Sequence, residues 1–229
     1  MSTRPIIKIC CIASVEEALL AVNAGAAVLG LVSSMPSGPG VISDERIAEI
    51  AAAVADVADV ALPTETFLLT ALTDAQTIAA QHRAAGTTAL QLVDQVPSEH
   101  LQRLRRLCPG VKLVQVIHVL GDESIGQARA AAPYVDALLL DSGNPNLAIK
   151  QLGGTGRAHD WATSRRIRDA VWPLPLFLAG GLNETNVAEA IHTVQPHGLD
   201  LCSSVRSGGA LDAAKLRRFF NAAAAVSAP

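Results

Sequence analysis

One alternation repeats from end to end of the chain: a short run of branched or leucine-rich residues, then an alanine-rich stretch whose apolar positions recur with helical spacing. Eight runs read as strands: Ile6 to Ile12, Val28 to Ser33, Thr66 to Leu69, Ala89 to Val93, Lys112 to Val119, Ala137 to Asp141, Pro175 to Ala179 and Leu199 to Cys202. Eight helical stretches follow them: Val15 to Asn23, Asp44 to Ala55, Asp74 to Ala85, Ser98 to Leu107, Glu123 to Ala131, Trp161 to Val171, Glu184 to Val194 and Asp212 to Ala225. Over 229 residues each unit has about 29, which a strand, a helix and two short connections fill. The strand runs are apolar along nearly their whole length, as parallel strands covered on both faces must be. Open doubly wound sheets share the alternation, so the count of eight selects closure. The expected architecture is α/β, a single (β/α)8 TIM barrel domain spanning residues 1–229. Ser14 with Glu17, Ser43 ahead of Asp44 and Glu45, and Asn183 before Glu184 mark helix starts. Gly25, Gly86 and Gly198 stand at or shortly after helix ends.

Composition narrows the function. Half of the residues are hydrophobic and only 17% are charged, which supplies a core and excludes a disordered chain. With 18 Lys and Arg against 21 Asp and Glu, no basic field exists to hold nucleic acid or an anionic membrane. No run approaches the roughly 18 apolar residues of a spanning helix, and the run before Ser14 is too short for a secretion signal, so a cytoplasmic protein is expected. Four cysteines do not make a disulfide framework; Cys10 and Cys11 could pair only through a strained ring, and Cys108 and Cys202 stand alone. Reduced thiols are expected. The six histidines are scattered, without metal-ligand spacing, so neither a metal nor a cofactor is expected.

In a barrel of this kind the chemistry sits at the carboxyl ends of the strands. Alternation along the first strand puts Lys8, Cys10 and Ile12 on one face and Ile7, Ile9 and Cys11 on the other. Cys10 is therefore expected at the barrel mouth and Cys11 in the helix shell. Asp141 ends the sixth strand on the face of Leu139, so a thiol and a carboxylate look into one cavity. Two readings of the pair stand: a small core side chain and a loop cap, or a base and an acid on opposite sides of a small molecule. A covalent role for the thiol finds no Cys-His-Asn arrangement. Gly/Ser-rich turns follow strands six, seven and eight, at Leu152 to Arg157, Ala179 to Asn183 and Cys202 to Gly209. Such turns let backbone N–H groups close on an anion, and they lie where barrels of this class seat phosphate.

The segments KICCI (Lys8 to Ile12), LLLDS (Leu138 to Ser142), GGTGRAHDW (Gly153 to Trp161), LAGGLNETNVAEAI (Leu178 to Ile191) and LDLCSSV (Leu199 to Val205) resemble the phosphoribosylanthranilate isomerase family of tryptophan biosynthesis, over nearly the whole chain. The resemblance implies a cofactor-independent Amadori rearrangement of an N-linked phosphoribosyl amine to its 1-deoxyketose. It implies Asp141 as the general acid on the furanose ring oxygen and Cys10 as the general base at C2 of the sugar. It also implies phosphate contacts from Gly154, Thr155, Gly180, Gly181, Ser203 and Ser204. The departures fall mostly on the aglycone half. The family's SPRYVS-like loop becomes Ser37 to Ser43 without a cation, its QLHG becomes QLVD with Val93 and Asp94, its KAFRV-like strand becomes Gln115 to Val119, and its Gly after the cysteine becomes Cys11. Expected aglycone contacts are Gln91, His118 and Arg157, with Arg206 a further cation that could replace the lost arginine. Asp94 either faces the ligand or caps the next helix. A related phosphate-binding barrel with another aglycone, and a non-catalytic phosphosugar-binding barrel, stay open as alternatives. The sequence carries no signal of oligomeric state.

Overall fold

The computed structural model describes residues 4–57, 63–152 and 159–226. Strands β1 (Ile6–Ile9), β2 (Val28–Val32), β3 (Glu65–Thr70), β4 (Ala89–Leu92), β5 (Lys112–His118), β6 (Ala137–Asp141), β7 (Leu176–Leu178) and β8 (Gly198–Leu201) close into a parallel barrel in chain order. Strand β8 returns to β1 with Lys8 opposite Asp200 and Ile9 opposite Leu201. Helices α1 (Val15–Asn23), α2 (Asp44–Val57), α3 (Ala75–Ala85), α4 (Ser98–Leu107), α5 (Glu123–Ala131), α6 (Trp161–Val171), α7 (Val187–Val194) and α8 (Ala213–Ala224) form the outer layer. The expected (β/α)8 architecture is thus the observed one.

Local chemistry sets the helix ends. The Ser14 hydroxyl accepts from the Glu17 N–H, and Asp74, Asp160 and Asp212 each accept two N–H groups at the starts of α3, α6 and α8. Each such cap contributes about 1 kcal/mol. Helix α7 starts at Val187, later than the expected Glu184, because the Asn183 carboxamide accepts from Thr185 and Asn186 and holds residues 183–186 as a turn. The same helix ends at Gln195, whose φ is 53°. Gly198 belongs instead to β8, where a Cβ would lie 2.5 Å from the Phe177 ring.

Strand alternation divides the core in two. Ile7, Ile9, Leu29, Leu31, Leu68, Leu90, Leu113, Leu138, Leu140, Leu176, Leu178 and Leu199 point outward and pack with the helices. Val28, Phe67, Leu69, Ala89, Val114, Val116, Ala137, Leu139 and Phe177 fill the barrel, with Phe67 and Phe177 edge to face at 6.0 Å. At the end of β1 the alternation breaks. Cys11 has φ 62°, a left-handed conformation that costs a non-glycine residue about 1 kcal/mol. That turn swings Cys11 to the inner cluster and sends Ile12 to the helix shell, the reverse of the expected placement. A further pair absent from the sequence reading, β9 (Arg206–Ser207) and β10 (Ala210–Leu211), forms a hairpin beyond β8.

Candidate active site

At the carboxyl ends of the strands lies a cavity of about 310 Å³. Cys10 enters it directly after β1 and Asp141 at the end of β6. Space for the thiol comes from Gly30 on the neighbouring strand, where a Cβ would stand 3.0 Å from the Cys10 sulfur and 2.9 Å from the Lys8 ammonium. The Asp141 carboxylate accepts from the Ser142 N–H at 2.7 Å, which fixes its orientation at the strand end.

Gly180, Gly181, Ser203 and Ser204 line the β7–β8 side of the same cavity. Both glycines are left-handed, with φ 84° and 66°, a shape that side-chain-bearing residues rarely adopt. The Gly181 carbonyl accepts from the carboxamides of Asn183 and Asn186, so the turn is braced by the segment after it. Ser203–Val205 forms a single 3-10 turn, and the buried Ser204 hydroxyl has no hydrogen-bond partner among the described residues. A polar group left so is destabilising until an acceptor or donor arrives.

The floor carries a buried ion pair that the sequence reading did not single out. The Lys8 ammonium, fully buried, donates to Asp200 at 2.8 Å, and Asp200 also lines the cavity. Burial alone would pull the Lys8 ammonium down, but the Asp200 carboxylate outweighs it and holds the amine charged above its ordinary range. A lysine within the apolar run of the first strand was the signal, since Lys8 shares the inner face with Cys10. Its partner becomes visible only when β8 closes on β1.

The expected aglycone contacts separate. Gln91 lines the mouth cavity from β4, with its carbonyl oxygen unpaired among the described residues. His118 does not line it: its Nε2 faces the Val93 carbonyl at 3.0 Å, and it borders a second cavity of about 670 Å³ between α4 and α5, with Asp94, Gln115 and Lys150. Asp94 pairs there with Lys150 and accepts from the Gln95 N–H, so it faces the loops rather than the mouth. Arg206 turns away from the cavity, binding both Glu17 carboxylate oxygens and the carbonyls of Cys10 and Cys11. Gly154, Thr155 and Arg157 lie outside the described residues. The loop after β2 contributes Ser37, Gly38 and Pro39, and among the described lining residues there is no Arg, Lys or His.

Cys202 does not stand alone as expected: its sulfur lies 2.7 Å from that of Cys11. Among the described residues no cluster of His, Cys, Asp or Glu could hold a metal ion, and no helix is long and apolar enough to cross a membrane.

Residues 7–222 match the model of the N-(5'-phosphoribosyl)anthranilate (PRA) isomerase family. The chain is similar to N-(5'-phosphoribosyl)anthranilate isomerase 2 of Methanosarcina mazei, with 34% identity over 95% of this chain and 93% of the relative. Among solved structures, phosphoribosyl anthranilate isomerase from Thermotoga maritima superimposes with a TM-score of 0.79 at 25% identity, covering 96% of this chain and 98% of that one. A phosphoribosyl anthranilate isomerase in complex with reduced 1-(o-carboxyphenylamino)-1-deoxyribulose 5-phosphate gives a TM-score of 0.76 at 23% identity, with coverage of 96% and 98%. The barrel and the match along nearly its full length agree: this chain belongs to the PRA isomerase family.

Proposed function

We propose that the chain catalyses the family's Amadori rearrangement, with Cys10 as base and Asp141 as acid. The observation that carries this reading is that both side chains line one cavity from β1 and β6, beside the glycine and serine turns after β7 and β8. The phosphate of the substrate sits against Gly180, Gly181, Ser203 and Ser204, where left-handed glycines leave backbone N–H groups free to approach an anion. The unpaired Ser204 hydroxyl supplies a further donor.

With the phosphate anchored there, the ribose extends toward Asp141 and Cys10. Asp141 delivers its proton to the ring oxygen, the C1–O bond opens, and the nitrogen lone pair completes an iminium. That positive charge acidifies the C2 proton enough for a thiolate to remove it. The electron pair left at C2 moves to give the enolamine, which tautomerises to the 1-deoxyketose. Every atom of the substrate is kept. The aromatic aglycone lies against the apolar wall of Met35, Pro39, Leu69, Val93, Val116 and Leu152, with the Gln91 carboxamide at hand for a polar substituent.

A second reading, the same chemistry on a different aglycone, is favoured by the lack of a cationic side chain among the described lining residues. A buried carboxylate without a cation loses several kcal/mol of binding. Complementation separates the two. Expressed in a tryptophan auxotroph lacking this isomerase, the chain is expected to restore growth without tryptophan, and its Cys10→Ala variant is not. Soluble wild-type protein that fails to rescue contradicts anthranilate as the aglycone.

A further inference from the structure

Three of the chain's four cysteines meet at the barrel mouth, and the proposed isomerisation uses only Cys10. The other two sit on loops after neighbouring strands, β1 and β8, and are brought together by barrel closure. Their sulfurs are 2.7 Å apart, so a small closure reaches the roughly 2.05 Å of a disulfide bond. The contact depends on the left-handed backbone at Cys11, without which the side chain would point into the helix shell.

We propose that Cys11 and Cys202 form a redox-reactive dithiol at the mouth of the barrel, which a hydroperoxide oxidises to a disulfide that ties the β1 loop to the β8 loop.

The surroundings assign the two sulfurs different parts. Cys202 is half-buried and lines the open cavity, where a molecule as small as hydrogen peroxide reaches it. Cys11 is covered by the loop after β2: Gly40 packs so closely that a Cβ there would stand 2.4 Å from the Cys11 Cβ. The hydrogen bond with Cys11 holds the Cys202 thiol below its ordinary range against the opposing effect of burial, and the Arg206 charge adds to this. Cys11, between the sulfurs of Cys10 and Cys202 and buried, is pushed up. Cys202 is therefore the sulfur that ionises and attacks.

The electrons balance in two steps. The Cys202 thiolate attacks one peroxide oxygen, the O–O bond breaks, and the departing hydroxide takes up a proton as water, leaving a sulfenic acid. Cys11 then attacks the Cys202 sulfur, the S–S bond forms, the S–O bond breaks, and a second water leaves with the Cys11 proton. Two thiols lose two electrons and two protons; the peroxide is reduced to two waters.

Peptide mapping of the full chain tests this independently of isomerase activity. The protein is treated with equimolar hydrogen peroxide, alkylated, digested with trypsin and analysed by mass spectrometry. The expected product joins peptide 9–46, which holds Cys10 and Cys11, to peptide 169–206, which holds Cys202, and it separates on treatment with dithiothreitol. Because Cys10 and Cys11 share one peptide, the map is repeated on two variants. The cross-link is expected to persist in Cys10→Ser and to vanish in Cys11→Ser. A cross-link that requires Cys10 instead of Cys11 overturns the proposal. So does oxidised wild-type protein in which Cys202 is recovered alkylated or as its sulfinic acid, with no joined peptide.

Discussion

Lys8 shows how a single side chain couples the barrel floor to its mouth. A lysine in an apolar strand is tolerated because its ammonium donates a hydrogen bond to Asp200, opposite it on β8, at 2.8 Å and because Gly30 leaves room for the ammonium. Removing one member of such a pair leaves an uncompensated buried charge, which costs about 3–5 kcal/mol, whereas replacing both with apolar groups of similar volume is often close to neutral. Lys8→Ala is therefore expected to lower unfolding free energy by that amount in urea titrations, and Lys8→Met combined with Asp200→Leu to recover most of it. A loss below about 1 kcal/mol for Lys8→Ala, the range of an exposed pair, would contradict the buried floor. Cys11 makes the complementary point about the backbone: one left-handed residue ends the alternation of the strand, and with it the rule by which a sequence predicts which way side chains face.

At the scale of elements, the β9–β10 hairpin works as a brace. Its Arg206 guanidinium bridges Glu17 on α1 and the carbonyls of Cys10 and Cys11, while Glu17 also accepts from the N–H groups of Ala13 and Leu211. Burial would raise the Glu17 carboxyl, but the Arg206 guanidinium and those two N–H donors outweigh it and hold the group below its ordinary range. One contact set thus joins the loop that carries Cys10 to two other elements. Arg206→Ala is expected to cost about 3 kcal/mol of stability and to lower kcat with little change in KM, since Arg206 does not line the mouth cavity. Arg206→Lys keeps the charge but not the fork, so it is expected to restore stability in part while kcat stays depressed. Equal recovery of both in the lysine variant would assign the side chain a purely structural part. The hairpin itself escapes sequence reading because two-residue strands carry no periodicity. The eight strands and eight helices of the barrel are legible because each rests on local spacing of apolar residues, with Ser14, Asp74, Asp160 and Asp212 capping four of the helices.

For the molecule as a whole, closure decides what sequence reasoning reaches. The positions of Cys10, Asp141, Gly180, Gly181, Ser203 and Ser204 at one mouth follow from the fold alone, since every strand end of a barrel converges there. The Lys8–Asp200 pair and the Cys11–Cys202 contact do not, because each joins the first strand to the last across more than 190 residues of chain. His118 is expected at the mouth and Asp94 either there or as a cap of the next helix; their strand ends reach the rim, but their side chains engage the second cavity between α4 and α5. The departures from the family pattern at these two residues thus fall on that neighbouring cavity, and the mouth keeps its thiol, its carboxylate and its glycine and serine turns. The central claim is that a thiol and a carboxylate act on one substrate as separate base and acid. General acid–base catalysis contributes roughly 10²–10⁴-fold per group. The direct measurement is steady-state kcat with phosphoribosylanthranilate for Cys10→Ala and Asp141→Asn, each checked for native circular dichroism. Losses of about 10²-fold or more in both variants are expected; a rate within about threefold of wild type in either one, with the fold intact, would contradict the assignment.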